Sequence, residues 1–79
     1  MTIAGIRESL HRQPFRAFAI QLADGRSLPV PHPDFVALTP RLAIVTAEDG
    51  GWSVVEPLLV ASLDYEAKGN QEDQGDNGR

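Results

Sequence analysis

Residues 18–30 constrain the fold of this chain more than any other segment. Large apolar residues alternate with small or polar ones on both sides of an Asp24-Gly25 pair. Such alternation places one set of side chains on each face of a strand, and Asp-Gly between two strands is typical of a tight turn. The segment therefore predicts a β-hairpin, which sets an architecture without specifying a chemistry.

The register of this hairpin follows from the spacing of its apolar residues. A two-residue loop would place Leu28 on the face opposite Ile20, since a slip of one residue turns every side chain of a strand over. A loop over residues 23–25, with its glycine in the left-handed conformation, avoids this. We therefore expect Ile20 to pair with Leu28 and Phe18 with Val30.

Three prolines occupy alternate positions after the turn, at Pro29, Pro31 and Pro33. Proline has no backbone N–H, so all three missing donors fall on one edge of the second strand. We expect this edge to be free of a ladder partner or to be the point at which the strand bends. Alternating prolines also oppose edge-to-edge aggregation.

The other elements are one helix and several short strands. Thr2 is a typical helix cap, and three apolar residues follow it at helical spacing: Ile3, Ile6 and Leu10. The helix is expected to end near Arg12, because Pro14 disfavours helical geometry in the residue before it. Residues 34–38 resume an extended apolar run, and later strands are expected at residues 42–47, 52–56 and 60–65.

These elements predict a mainly β (α+β) fold, in which an N-terminal helix packs on a strongly bent, five-stranded antiparallel sheet, as in Sm-like or SH3-like small barrels. The alternative is a split β+α sheet with the helix on one face. The expected core comprises Ile3, Ile6, Leu10, Phe15, Phe18, Ile20, Leu22, Leu28, Val30, Phe35, Val36, Leu38, Leu42, Ile44, Val54 and Leu63.

Length and composition indicate a single domain over residues 1–66, followed by a tail over residues 67–79 without large apolar residues, which we expect to be disordered. The chain has no cysteine and a net charge of −4. Its first residues do not have the pattern of a signal peptide, and no apolar run reaches the roughly 20 residues that span a bilayer. We expect a cytoplasmic protein without a membrane partner.

Three segments resemble the Sm-like family, which includes the Sm and Hfq proteins: the Asp-Gly hairpin, an Asp-then-apolar stretch, and a short turn with a final strand (residues 20–28, 34–38 and 57–63). This resemblance implies a small β-barrel and, in many members, RNA binding. The chain also resembles short uncharacterised bacterial proteins that share three motifs, here Pro14-Phe15, residues 22–26 and residues 32–35. That second resemblance implies no activity.

Candidate contact residues are few: Arg7, Arg12, Arg16, His32 and Trp52. The arginines are candidate phosphate contacts or a solvated helix face. The pair of His32 and Asp34 has two interpretations, half of a metal site or a simple turn, and the turn is the better one. Trp52 also has two interpretations: its ring stacks on a base, or it packs over the edge of a small core.

No Gly-rich phosphate loop or nucleophile triad is recognisable, so we expect neither an enzyme nor a cofactor or metal site. The strands expected at residues 16–22 and 42–47 each carry a second face of small apolar residues, such as Ala19, Ala43 and Val45. Either other parts of the chain or a second subunit cover them. The sequence thus predicts a binding or assembly module with a protein partner or a second copy; the alternative is an Sm-like RNA-binding protein.

Overall fold

The computed structural model describes residues 2–66, which form one α-helix, six β-strands and two 3-10 turns. The helix α1 spans Ile3–Leu10, and the strands are β1 Phe18–Leu22, β2 Ser27–Val30, β3 Val36–Leu38, β4 Ala43–Thr46, β5 Trp52–Val55 and β6 Val60–Tyr65. The 3-10 turns are Pro33–Phe35 and Pro57–Leu59. The expectation of a disordered tail concerns residues 67–79, which lie outside the described residues.

The strands form two antiparallel sheets of three strands each, in the orders β2-β1-β6 and β3-β4-β5. The prediction of a mainly β fold with an N-terminal helix is confirmed. The prediction of five strands is wrong, because the 3-10 turn Pro33–Phe35 separates β2 from β3 and assigns them to different sheets. Pro33 suits the first position of such a turn, where its missing N–H costs nothing. Neither sheet closes into a barrel.

The hairpin between β1 and β2 has the predicted register. Ile20 lies opposite Leu28, and Phe18 lies opposite Val30. The Leu22 N–H donates to the Arg26 carbonyl oxygen at 2.8 Å, which closes a loop of three residues. Gly25 has a φ of +94°, a left-handed conformation that glycine adopts without a steric penalty.

The free edge of β2 is also as predicted. Within residues 2–66, β2 pairs with β1 alone, so Pro29 faces no ladder partner on its other side. A proline at this position removes no hydrogen bond from the sheet.

The helix begins where the sequence predicts it and ends slightly earlier. The Thr2 hydroxyl accepts a hydrogen bond from the Gly5 N–H at 3.4 Å, and α1 ends at Leu10 rather than near Arg12. The His11 N–H donates to the Arg7 carbonyl oxygen as the helix ends. No helix within residues 2–66 has the length and apolarity that crossing a bilayer requires.

One apolar core lies between the helix and the inner faces of the two sheets. Its buried side chains are Ile6, Leu10, Phe18, Ile20, Leu22, Val30, Ala43, Val45, Val55 and Val60. Five other predicted core residues are partly buried against it: Phe15, Leu28, Val36, Leu38 and Leu63. Ile3 and Phe35, also predicted core residues, are half-buried.

The prediction of which face of β4 is buried is wrong. The alternation predicts Leu42 and Ile44 in the core, yet Ala43 and Val45 are the buried residues, and Leu42 and Ile44 are half-buried. The reason is register, since Ala43 lies opposite Val55 and Val45 lies opposite Val36, which direct their side chains inward. By the same pairing Val54, another predicted core residue, lies on the outer face and is exposed.

Candidate functional site

Two of the five candidate contact residues meet at Tyr65, near the end of β6. The guanidinium carbons of Arg12 and Arg16 each lie 5.0 Å from the centroid of the Tyr65 ring. Cations within about 6 Å of an aromatic face are attracted by the ring quadrupole. We call these three residues the Tyr65 cluster.

Pairing between the first and last strands places Tyr65 beside Arg16. Phe18 lies opposite Tyr65 in the β1–β6 ladder, and the centroids of their rings are 5.8 Å apart. The ladder continues outward, where the Glu66 N–H donates to the Ala17 carbonyl oxygen at 2.9 Å. The Arg16 guanidinium then donates to the Glu66 carbonyl oxygen at 3.2 Å, which holds Arg16 over the end of the strand.

The helix completes the cluster from the other side. The Ser9 hydroxyl is buried and lies 2.7 Å from the Tyr65 hydroxyl. Arg12 follows the end of α1 and lines an open depression together with Glu8, His11 and Tyr65. Within residues 2–66 the only side-chain ion pair joins Asp24 to Arg26, so no carboxylate side chain of this region lies within 4 Å of the Arg12 or Arg16 guanidinium.

These contacts change the acidity of the phenol. The pKa of Tyr65 is lowered, chiefly by the hydrogen bond with Ser9; burial opposes this, and Arg12 and the charge of Arg16 add to the lowering. A positive potential at this point stabilises the phenolate relative to the phenol. The same potential favours any anion that reaches the depression.

The structure does not bring the other candidate residues into this cluster. Arg7 is exposed on α1. His32 is exposed and precedes the 3-10 turn Pro33–Phe35, where its carbonyl oxygen accepts a hydrogen bond from the Phe35 N–H at 3.1 Å. No group of three or more His, Asp or Glu side chains suited to a metal ion occurs within residues 2–66.

Trp52 belongs to a second candidate region, the segment of residues 52–59, which we call the apolar edge segment. All four exposed large hydrophobic residues of the described chain lie in it: Trp52, Val54, Leu58 and Leu59, with exposed fractions of 69%, 49%, 87% and 52%. The segment comprises β5 and the 3-10 turn that leads to β6. Scattered exposed hydrophobic residues are ordinary, but their concentration in eight consecutive residues is not.

A small apolar depression lies beside this segment. Val54, Val55 and Leu59 form one side of it, and the end of β1 and the hairpin loop form the other (Leu22, Ala23, Asp24 and Arg26). The Ala23 N–H donates to the Leu59 carbonyl oxygen at 2.8 Å, which ties the loop to the 3-10 turn. Asp24 and Arg26 form an ion pair at the polar side of the depression, with 2.9 Å between Asp24 Oδ2 and Arg26 Nε.

The apolar edge segment also joins two strands with an open side. In the part of the chain that the structure describes, β5 pairs only with β4, and β6 pairs only with β1. Their outer backbone groups are therefore available to another strand. On the outer face, Ala37, Ile44 and Val54 form a row across β3, β4 and β5.

Of the residues in these two regions, the sequence alone indicates Arg12, Arg16 and Trp52 as candidates but not Tyr65, Ser9, Leu58 or Leu59. Nothing local identifies Tyr65, because its partners on α1 come from the other end of the sequence. A signal did exist for the two leucines. Pro57 disfavours continuation of the strand, so Leu58 and Leu59 are expected in a connecting turn, and connecting turns run over the surface.

Comparison with known proteins found no match to a family model, to a curated protein or to a solved structure. The resemblance to Sm-like proteins therefore rests on the motifs of this chain alone. Function has to be argued from the Tyr65 cluster and the apolar edge segment.

Proposed function

We propose that this protein is a non-enzymatic, cytoplasmic assembly module of Sm-like type that associates with further copies of itself through the apolar edge segment. The observation that carries the proposal is the concentration of Trp52, Val54, Leu58 and Leu59 in residues 52–59. Clustered, exposed apolar side chains are characteristic of protein interaction surfaces. The order of a helix, a hairpin and a final strand that pairs with β1 supports the Sm-like part of the proposal.

Burial of these side chains supplies a driving force for association. Removing one leucine-sized side chain from water contributes about 1.5–3 kcal/mol. Leu58 and Trp52 each have most of their surface still exposed in the monomer. Association would also cover part of a small domain, whose own core leaves its stability marginal.

The open strand edges support one mode of association. The outer edge of β5 in one copy is able to pair with the outer edge of β6 in the next, since both lack a partner within residues 2–66. The free edge of β2 is a poor alternative because Pro29 removes a donor from it. Contact between two different edges is heterologous and closes into a ring when the rotation permits.

Sedimentation equilibrium of the full chain tests this proposal. We expect a mass that is a multiple of the monomer mass at micromolar concentration. Leu58→Asp should shift the protein to monomers, because Leu58 is 87% exposed and its replacement leaves the core intact. Ala37→Asp is the matched control: it places a carboxylate at an exposed position on β3, the edge strand opposite β5 and outside residues 52–59, and it should leave the mass unchanged.

Two results contradict the proposal. One is a wild-type protein that stays strictly monomeric at high micromolar concentration. The other is an oligomer that Ala37→Asp disrupts and Leu58→Asp does not, since the contact would then lie on the sheet face rather than at the apolar edge segment.

Binding of single-stranded RNA in the manner of Sm-like proteins is the second candidate function. It is favoured by the meeting of Arg12 and Arg16 at Tyr65, with Arg7 as a further contact. Trp52 is less suited to this role, since it lines a separate depression with Leu28 and Pro29. The test is the anisotropy of a labelled RNA, whose affinity should fall steeply with salt; absence of binding at low salt rejects this function.

A further inference from the structure

We propose that the Tyr65 cluster is a binding site for one compact phosphate group, of the kind that a small phosphomonoester carries. The site is the open depression that Arg12 and Tyr65 line, and the Arg16 guanidinium at the same ring supplies a second positive charge. This inference is independent of self-association. It also names a ligand different from RNA, because a single doubly charged group is recognised rather than a chain of phosphodiesters.

The donors of the cluster suit a phosphate. A guanidinium presents N–H groups in a planar fork that matches two phosphate oxygens, and such charge-assisted hydrogen bonds are strong. The Arg16 guanidinium donates one N–H to the Glu66 carbonyl oxygen, and its other N–H groups are left to donate to a ligand. When the Ser9 hydroxyl donates to the Tyr65 oxygen, across 2.7 Å, the phenolic O–H is left to donate into the depression.

The two arginines are held in place before any ligand arrives. Each guanidinium stacks at 5.0 Å from the Tyr65 centroid. Tyr65 is itself fixed by Ser9 on one side and by the Phe18 ring on the other. Side chains that are already ordered lose less entropy on binding, so preorganisation of this kind strengthens binding.

The charge distribution selects a compact anion over a long one. Residues 1–16 contain three arginines and one glutamate, whereas residues 17–66 contain two arginines and seven carboxylates. The two positive charges of Arg12 and Arg16 balance the two negative charges of one phosphate dianion. The net negative charge of residues 17–66 disfavours the binding of a long polyanion.

Other titratable groups face the same depression. Glu8 and His11 both line it together with Arg12 and Tyr65. The carboxylate of Glu8 opposes an incoming anion. Glu8→Gln should therefore tighten phosphate binding, and this variant changes neither of the two arginines.

The test is a titration of the full chain with inorganic phosphate, followed by amide NMR at constant ionic strength. We expect saturable shifts at Arg12, Arg16 and Tyr65. Arg12→Gln and Arg16→Gln should each weaken binding at least about tenfold, the equivalent of one charge-assisted hydrogen bond. Arg41→Gln removes the same charge from an exposed position in the loop between β3 and β4 and should change the affinity less than about twofold.

Arg12→Lys is a second variant, in case loss of the stacked guanidinium unfolds the domain. It keeps the charge but not the fork, and it should retain the fold while weakening phosphate binding. Three results overturn the proposal: shifts that do not saturate, equal weakening by Arg41→Gln and Arg12→Gln, or tight binding of single-stranded RNA that phosphate does not displace. The last result would assign the cluster to RNA instead.

Discussion

The hydroxyl groups of Ser9 and Tyr65 lie 2.7 Å apart and connect α1 to the last strand across 56 residues of sequence. Ser9 is the one buried polar residue of the core within residues 2–66, and Tyr65 is its side-chain partner. The pair thus satisfies a buried hydroxyl and orients the ring that both arginines contact.

Loss of this hydrogen bond should destabilise the domain by an amount that depends on which partner is removed. Tyr65→Phe leaves the buried Ser9 hydroxyl without a partner and should cost about 1–3 kcal/mol, whereas Ser9→Ala should cost about 1 kcal/mol. The double variant should cost less than the sum of the two. Urea denaturation measures all three, with Ser62→Ala, whose hydroxyl contacts Asp64 at the surface, as the control.

The ionisation of Tyr65 should occur at a lower pH than that of an ordinary tyrosine. Its pKa is lowered mainly by the Ser9 hydrogen bond, with Arg12 and the charge of Arg16 contributing. Ser9→Ala should move the titration back upward. Because the chain has one tyrosine, the ultraviolet absorbance of the phenolate reports it directly; an unchanged titration in Ser9→Ala would contradict the assigned cause.

The same lowered pKa makes stability depend on pH in a defined direction. Between the lowered pKa and the ordinary value, the unfolded chain binds more protons than the folded one, so stability rises with pH. This contribution is fully present above the ordinary pKa and is lost as the pH falls through the lowered one. Denaturation at two alkaline pH values should show this rise in the wild type relative to Tyr65→Phe.

Replacement of Gly25 should weaken the hairpin through backbone strain alone. Gly25 has a φ of +94°, and a Cβ added there would meet no atom within 4 Å. Gly25→Ala should therefore cost about 1–2 kcal/mol, the penalty of a left-handed conformation for an L-residue. Gly51→Ala is the control in thermal unfolding and should cost less: Gly51 is not left-handed, and its added Cβ would lie 3.1 Å from the Asp49 carboxylate, which accepts a hydrogen bond from the Gly51 N–H and has to shift slightly.

Two adjacent valines of β5 should respond very differently to truncation. Val55 is 2% exposed in the core, so Val55→Ala should cost about 2 kcal/mol from lost burial and the cavity left behind. Val54 is on the outer face, and Val54→Ala should change the free energy of unfolding of the monomer by less than about 0.5 kcal/mol. Urea denaturation at low protein concentration makes the comparison; the opposite order would mean that β5 is turned over.

The hairpin shows what local sequence is able to predict. The register of Ile20 with Leu28 follows from two short-range facts, the alternation of apolar residues and a glycine that tolerates a left-handed φ. Neither fact depends on the rest of the chain. The free edge of β2 was predictable for the same reason, because a missing N–H at Pro29 is a property of the residue itself.

The face of β4 shows where local prediction stops. Its two faces carry Ala43 and Val45 on one side and Leu42 and Ile44 on the other, and side-chain size favours the second set as the core. The structure buries the first set, because pairing with Val36 and Val55 decides which face points inward. The alternation of residues within one strand does not show which other strands it pairs with, so it does not show which face is buried.

For the candidate sites, residue types alone show which side chains carry charge and where the chain turns: three arginines precede residue 17, a glycine lies at the hairpin tip, and Pro57 precedes two leucines. The meeting of Arg12 and Arg16 at Tyr65, and the exposure of Trp52, Val54, Leu58 and Leu59, follow from how the folded chain packs. The chemistry of a side chain is a property of its residue. A site, however, forms where segments distant in sequence pack together, and burial of their apolar side chains in one core brings those segments together.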